Sequence, residues 1–198
     1  MDFSNFYHLP VKGDGACFFH SIVGINHLNE HLFANGKTIT YKIEPGRWSN
    51  ESMNLRKKCV RWLKYNLDYR IKNIGTTIRD EIVEDLRTNN NIKKKTINGY
   101  FSYMNRTKGY AGQIEIYAIS ELLQKNIRTY ISKDGKLHNV GLGYEIKTKN
   151  MMDDIYLYHN LGEIGNYGGG HHFEILYPKK KATIVSKTEY LRRFKKGV

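Results

Sequence analysis

The chain has 198 residues, 40% hydrophobic and 13% aromatic, which suits one globular domain and is too apolar for a disordered tract. Its two cysteines, with no C-x-x-C pair, exclude a disulfide framework and a four-ligand structural zinc site of the usual spacing. The net charge of +13, from 32 basic and 19 acidic residues, points toward polyanionic surfaces.

The N-terminal MDFSNFYHLP lacks the basic and apolar regions of a signal peptide, and no apolar run approaches the roughly 18 residues of a membrane span. The expected setting is intracellular and reducing: cytoplasm, or host cytoplasm for a viral or intracellular-pathogen source. After Gly13-Asp14-Gly15, the apolar residues Phe18, Phe19, Ile22 and Val23 predict a helix over 16–26. Residues 27–50, rich in Asn and Gly and carrying Pro45-Gly46, read as loop. Ser49 or Asn50 caps a helix from Glu51 to about Leu67, with Leu55, Cys59, Trp62 and Leu63 on one face. A further helix is expected over about 77–86. TNNNIKKKTING then reads as an exposed loop and YFSYM as a short helical or extended piece. Ile114, Tyr117, Ala118 and Leu122 predict a helix over 113–124. Strands are expected at 127–131, 144–148, 154–160 and 172–178, separated by Gly- or Asn-rich turns. Helices early and strands late indicate an α+β fold, with helices packed on a mostly antiparallel sheet. One domain is expected over 1–178. Residues 179–198 form a basic tail or a short helix around TEYLRRF, suited to polyanion contact.

Chemistry concentrates in two stretches. In GDGACFFHSI, Cys17 stands where a turn enters a helix. The helix dipole there favours a thiolate, and the first turn leaves backbone N–H groups that could receive an oxyanion. In GNYGGGHHFEILYP, a triglycine precedes a strand. Neighbouring strand residues face opposite ways, so His172, Glu174 and Leu176 share one face and Phe173, Ile175 and Tyr177 the other. His172 and Glu174 lie roughly 6.5–7 Å apart along the strand. A glutamate spans that gap and can steady an imidazole. A surface His-Glu pair is the plain alternative. His20 lies three residues along the same helix as Cys17 and is the less suitable base.

The stretch Gly13 to Ser21 resembles the catalytic-cysteine signature of the OTU (ovarian tumour) family of cysteine deubiquitinases: D-G-x-C, two hydrophobic residues, a basic or polar residue, and a small one. His172-Phe173-Glu174-Ile175-Leu176-Tyr177 is similar to the family's closing motif. Tyr110 to Ser120 resembles its W-G-G-x-x-E segment, and Leu55-Arg56 fits an L-R pair found between these blocks. The resemblance implies a papain-like OTU cysteine protease fold with Cys17 as nucleophile and His172 as general base. It also implies an oxyanion hole from the backbone near Asp14 together with the Cys17 N–H. Glu174 stands where many members carry Asp or Asn, so the third triad role falls to Glu174 or to Asn166. Tyr110-Ala111 depart from W-G, and Ala16 replaces the more frequent Asn. The implied reaction is hydrolysis of the isopeptide bond after ubiquitin's C-terminal Gly-Gly through an acyl-enzyme. The substrate is ubiquitin, a polyubiquitin chain or a ubiquitin-like modifier, and no cofactor or metal is called for. The triglycine 168–170 suits close approach of a Gly-Gly tail.

Rival readings are a basic nucleic-acid-binding module, tracking a phosphate backbone with scattered Tyr and Phe, and a catalytically inactive OTU-like ubiquitin-binding protein. A zinc site from Cys17, His20 and a distant histidine has too few ligands.

Overall fold

In the computed structural model, residues 1–35, 38–40, 49–72, 74–106, 108–141, 154–160, 172–180 and 183–185 are described. Within them run five α-helices: α1 (Cys17–Asn35), α2 (Ser49–Tyr65), α3 (Ile78–Thr88), α4 (Ile97–Met104) and α5 (Gln113–Leu123). Seven strands accompany them: β1 (Phe6–Leu9), β2 (Thr38–Thr40), β3 (Ile127–Lys133), β4 (Lys136–Asn139), β5 (Ile155–Asn160), β6 (His172–Pro178) and β7 (Thr183–Val185). Five of these make one sheet in the order β1-β6-β5-β3-β4. Only the β3–β5 pair is parallel, so the sheet is mixed and mostly antiparallel. Helices pack on it, which makes the α+β fold expected from the sequence. A separate pair, β2 and β7, runs parallel. No helix among the described residues is long and apolar enough to cross a membrane.

Local chemistry explains the element boundaries. Thr77 begins α3 with a capping box: its hydroxyl accepts from the Asp80 N–H (3.1 Å), and the Asp80 carboxylate accepts from the Thr77 N–H (2.9 Å). Thr96 caps α4 through the Gly99 N–H (3.0 Å). The α5 helix is buried on nearly all sides, from Ile114 to Ser120, and ends at Gln124 in the left-handed region (φ 51°). Between β3 and β4 the chain turns on Asp134-Gly135 alone. Both have positive φ (51° and 72°), as a two-residue hairpin matched to strand twist requires.

The sheet divides the core in two. Phe173, Ile175 and Tyr177 of β6 face the helices, in a cluster with Phe18, Phe19 and Ile22 of α1 and Cys59, Val60 and Leu63 of α2. Leu176 joins Phe6, Tyr130 and Leu137 on the other face. Each fully buried Ile, Leu or Phe here contributes about 1.5–3 kcal/mol.

Several expectations need correction. Residues 27–35, read as loop, continue α1, because Leu28 carries the apolar stripe onward and is buried. Residues 38–40 are strand. The loop 88–99 is not uniformly exposed: Ile92 is buried in the main core, and α4 has begun by Ile97. Strands β1, β4 and β7 were not anticipated; β7 lies in the stretch 179–198 read as a basic tail or short helix, where Thr183–Val185 pair with β2. The strand expected at 144–148, the triglycine 168–170 and the helix around TEYLRRF lie outside the described residues.

Candidate active site

The α1 helix opens at Cys17, and Asp14 builds the turn before it. The Asp14 carboxylate accepts from the Ala16 N–H (2.8 Å), an Asx-type closure that the short side chain of Asp reaches. The Cys17 N–H, the expected oxyanion donor, donates to the Asp14 carbonyl (3.1 Å) at this tight helix start. The Gly15 N–H meets no acceptor among the described residues.

Arg56 anchors this turn from α2. It is fully buried and donates to three carbonyls: Gly15 (2.5 Å), Gly109 (2.6 Å) and Met104 (3.0 Å). Its guanidinium lies over the Phe19 ring, 4.6 Å from the centroid. Burial pushes its pKa down, and the Glu115 carboxylate opposes that. Glu115 itself is buried, accepting from the Gly112 N–H (2.8 Å) and the Tyr100 hydroxyl, and burial pushes its carboxyl up. Arg56 therefore ties the turn before Cys17 to the segment that leads into α5.

The β6 strand supplies the other half of the site. Its neighbour β1 ends at Leu9, opposite Ile175, so β6 runs on past β1. Backbone groups at Phe173 turn to α1 instead. The Phe173 N–H donates to Cys17 Sγ (3.4 Å), and the Ser21 hydroxyl donates to the Phe173 carbonyl (3.1 Å). Residues 17 and 173, distant in sequence, are thereby locked together between His172 and Glu174.

The His172 side chain faces Glu174, with Nε2 3.4 Å from Oε1, an ion-pair distance. Burial alone would push the His172 pKa down. The Cys17 sulfur and the Glu174 carboxylate outweigh burial and hold it up at about 9. Burial would likewise raise Glu174, but hydrogen bonds to His172 and His8 hold it at about 2. The expected pairing of His172 and Glu174 on one strand face is what the fold presents. Cys17 is only 2% exposed, and Glu174 is buried too.

His20 points elsewhere. Its Nδ1 meets the Ser52 hydroxyl (2.8 Å), and its Nε2 lies 3.2 Å from Asp14 Oδ1. Burial pushes its imidazole below the usual range, with Asp14 opposing. Among the described residues no group of three or more His, Cys, Asp or Glu side chains is arranged to hold a metal ion. Asn166 lies outside the described residues.

The sequence reading missed His8. Its Nε2 lies 2.6 Å from Glu174 Oε2, on the carboxylate oxygen that His172 does not face. The available signal was weak, a four-residue FYHL run closed by Pro10. Asn160 was also missed; it stands directly across from His172 in the β5–β6 register.

A family model described as OTU-like cysteine protease matches residues 12–173. No curated protein matches the chain. Among solved structures, the viral OTU domain protease from Taggert virus superposes with a TM-score of 0.54 at 13% identity, covering 93% of this chain and 88% of that one. At that identity the likeness speaks to the fold. The viral OTU domain protease from Qalyub virus gives 0.49 at 16% identity, covering 90% of this chain and 88% of its own. An OTU deubiquitinase from Wolbachia pipientis wMel bound to ubiquitin gives 0.43 at 18%, covering 90% and 99%. The family match spans both the Cys17 turn and the start of β6 and takes in most of the chain, which therefore belongs to the OTU-like cysteine protease family.

Proposed function

We propose that this chain is a deubiquitinase, with Cys17 as nucleophile, His172 as general acid and base, Glu174 as the orienting carboxylate and the turn at Asp14–Gly15 as the oxyanion site. The observation that carries the reading is the seating of Cys17 Sγ against the Phe173 N–H (3.4 Å), next to His172, whose Nε2 faces Glu174 Oε1 at 3.4 Å. The thiolate is the reactive form of a cysteine nucleophile, and His172 is the group placed to hold and return its proton.

The thiolate attacks the carbonyl of ubiquitin's C-terminal glycine, and charge moves to the carbonyl oxygen. The Gly15 N–H, uncommitted among the described residues, is the donor we assign to that oxyanion. His172 gives its proton to the departing lysine amine as the C–N bond breaks, leaving a thioester on Cys17. The neutral ring then takes a proton from water as the water attacks the thioester. Breakdown of that adduct expels the thiol and frees the glycine carboxylate. Ubiquitin enters through family membership and the motif resemblance; the site geometry supports the thiol chemistry.

The test is a ubiquitin probe carrying a C-terminal electrophile. The wild type should form a covalent adduct at Cys17, and Cys17→Ala should lose both the adduct and chain cleavage while staying folded. His172→Ala should slow cleavage by roughly 10²–10⁴-fold. A folded, reduced wild type that neither forms the adduct nor cleaves any linkage-defined di-ubiquitin overturns the deubiquitinase reading.

A further inference from the structure

Glu174 is a longer side chain than the Asp or Asn of the resembling motif, and the extra methylene adds a rotor between strand and carboxylate. A carboxylate two residues from the histidine it steadies needs a fixed direction, and a third χ angle loosens it. The structure contains a device that restores it. β1 pairs antiparallel with β6, with His8 opposite Leu176, so His8 shares a face with Glu174 and His172. The His8 ring sits between Phe3 and Tyr158, meeting each edge-on at centroid distances of 5.7 and 4.8 Å. From that seat Nε2 reaches Glu174 Oε2 at 2.6 Å, and Oε1 is left turned toward His172.

We propose that His8 is a positioning residue of this site: by holding Glu174 Oε2 it aims Oε1 at His172, so the His8–Glu174 pair acts as a shorter carboxylate would alone. The inference rests on the reading of His172 as the acid and base. His8 touches no reacting atom and works only through Glu174. The groups around the relay are Cys17 from α1, Tyr158 and Asn160 from β5, and Phe3 from the N-terminal turn. Tyr7, with Lys179 over its ring, lies on the opposite face of β1.

The experiment is an NMR titration of the His172 ring in the wild type, His8→Ala, His8→Gln, Glu174→Gln and the His8→Ala/Glu174→Gln double variant. It is paired with kcat and KM on ubiquitin bearing a C-terminal fluorogenic amide. With the carboxylate loosened, the His172 midpoint in His8→Ala should move down by about one pH unit. The value of kcat should fall about five- to ten-fold with KM within about two-fold. His8→Gln keeps an N–H donor near the same point and should restore both. His8→Phe keeps the ring packing without a donor and should behave as His8→Ala, which covers the case where alanine fails to fold. In the Glu174→Gln background, removing His8 should change nothing further. An unmoved or raised midpoint in a folded His8→Ala or His8→Phe variant overturns the proposal, and so does an equal loss in the Glu174→Gln background. The titration needs no substrate, so it still decides the role of His8 if ubiquitin is not cleaved. A wild-type His172 titrating at its ordinary value overturns this proposal and leaves the acid–base reading standing, since an imidazole at about 6.5 still serves as acid and base.

Discussion

Replacing Glu174 with Gln keeps the side chain's size and removes its charge, which isolates the electrostatic support of His172. The imidazole is held at about 9 against an ordinary 6.5, with Cys17 and Glu174 both raising it against burial. Cys17 remains in the variant, so the midpoint should settle between those limits, near about 7.5. At about pH 8.5 the protonated fraction then falls from about three-quarters to about one-tenth, an eight-fold loss of the general acid. At about pH 6 both proteins are almost fully protonated, and that loss vanishes. The measurement is kcat/KM for Glu174→Gln and wild type from about pH 5.5 to 9. Their ratio should grow steadily with pH as the variant's basic limb moves down. A constant ratio across the range refutes the reasoning, because Glu174 would then matter for packing or orientation and not for the proton.

The same pair makes a stability prediction with a defined window. His172 has a raised folded pKa, so its contribution is full below about 6.5 and is lost as pH rises through about 9. Glu174 has a lowered one, so its contribution is full above 4.5 and is lost as pH falls through about 2. Both shifts describe one linked set of contacts and are counted once. Their upper bound is about 3 kcal/mol, and partial exposure of the pair brings it to about 1–2 kcal/mol. Glu174→Gln should therefore lower Tm most near about pH 5.5, and the difference should shrink, without vanishing, as pH rises through about 9 and the His172 share is lost. A Tm difference that stays flat with pH counts against it.

Three further outcomes follow from the surrounding structure. Arg56→Met strands three buried carbonyls and should cost about 3–5 kcal/mol in denaturant unfolding; Arg56→Lys, a single-headed donor, should not rescue it. Asp14→Ala removes the acceptor for the Ala16 N–H and should cost about 1 kcal/mol as well as lowering kcat, whereas Asp14→Asn keeps an acceptor oxygen and most of the stability; equal losses in both would argue against the turn as the cause. Gly99→Ala would set a Cβ 2.1 Å from the Lys94 carbonyl oxygen, so a fall in Tm is expected despite alanine's better helix propensity, and an unchanged Tm would contradict the packing of α4.

What could be read in advance divides along a physical line. The β6 strand was legible because a period of two is a local property: HFEILYP announces which residues share a face, and His172 and Glu174 do share one. The buried helix α5 and the capped α3 were legible for the same reason. The hairpin at Asp134-Gly135 carried a recognisable turn pair, but KLHN offers only Leu137 as an inward residue, too little alternation to announce a strand. Arg56 was opaque for another reason. A cation normally reads as surface, and its burial depends on three carbonyls from segments far apart in sequence.

His8 lies furthest from local reading, since its partner is on another strand and the register between β1 and β6 leaves no trace in either segment alone. That is why Glu174 looked like a departure that put the third role in question. A longer carboxylate is a defect only if nothing holds its far oxygen. Sequence pattern along one strand states what residue 174 is and which way it faces; the strand beside it determines whether its length matters. With His8 at 2.6 Å, the extra methylene becomes the means by which the carboxylate reaches two histidines at once. A substitution at such a position has to be judged together with its cross-strand neighbour, and the cost of shortening Glu174 to Asp should depend on whether His8 is present.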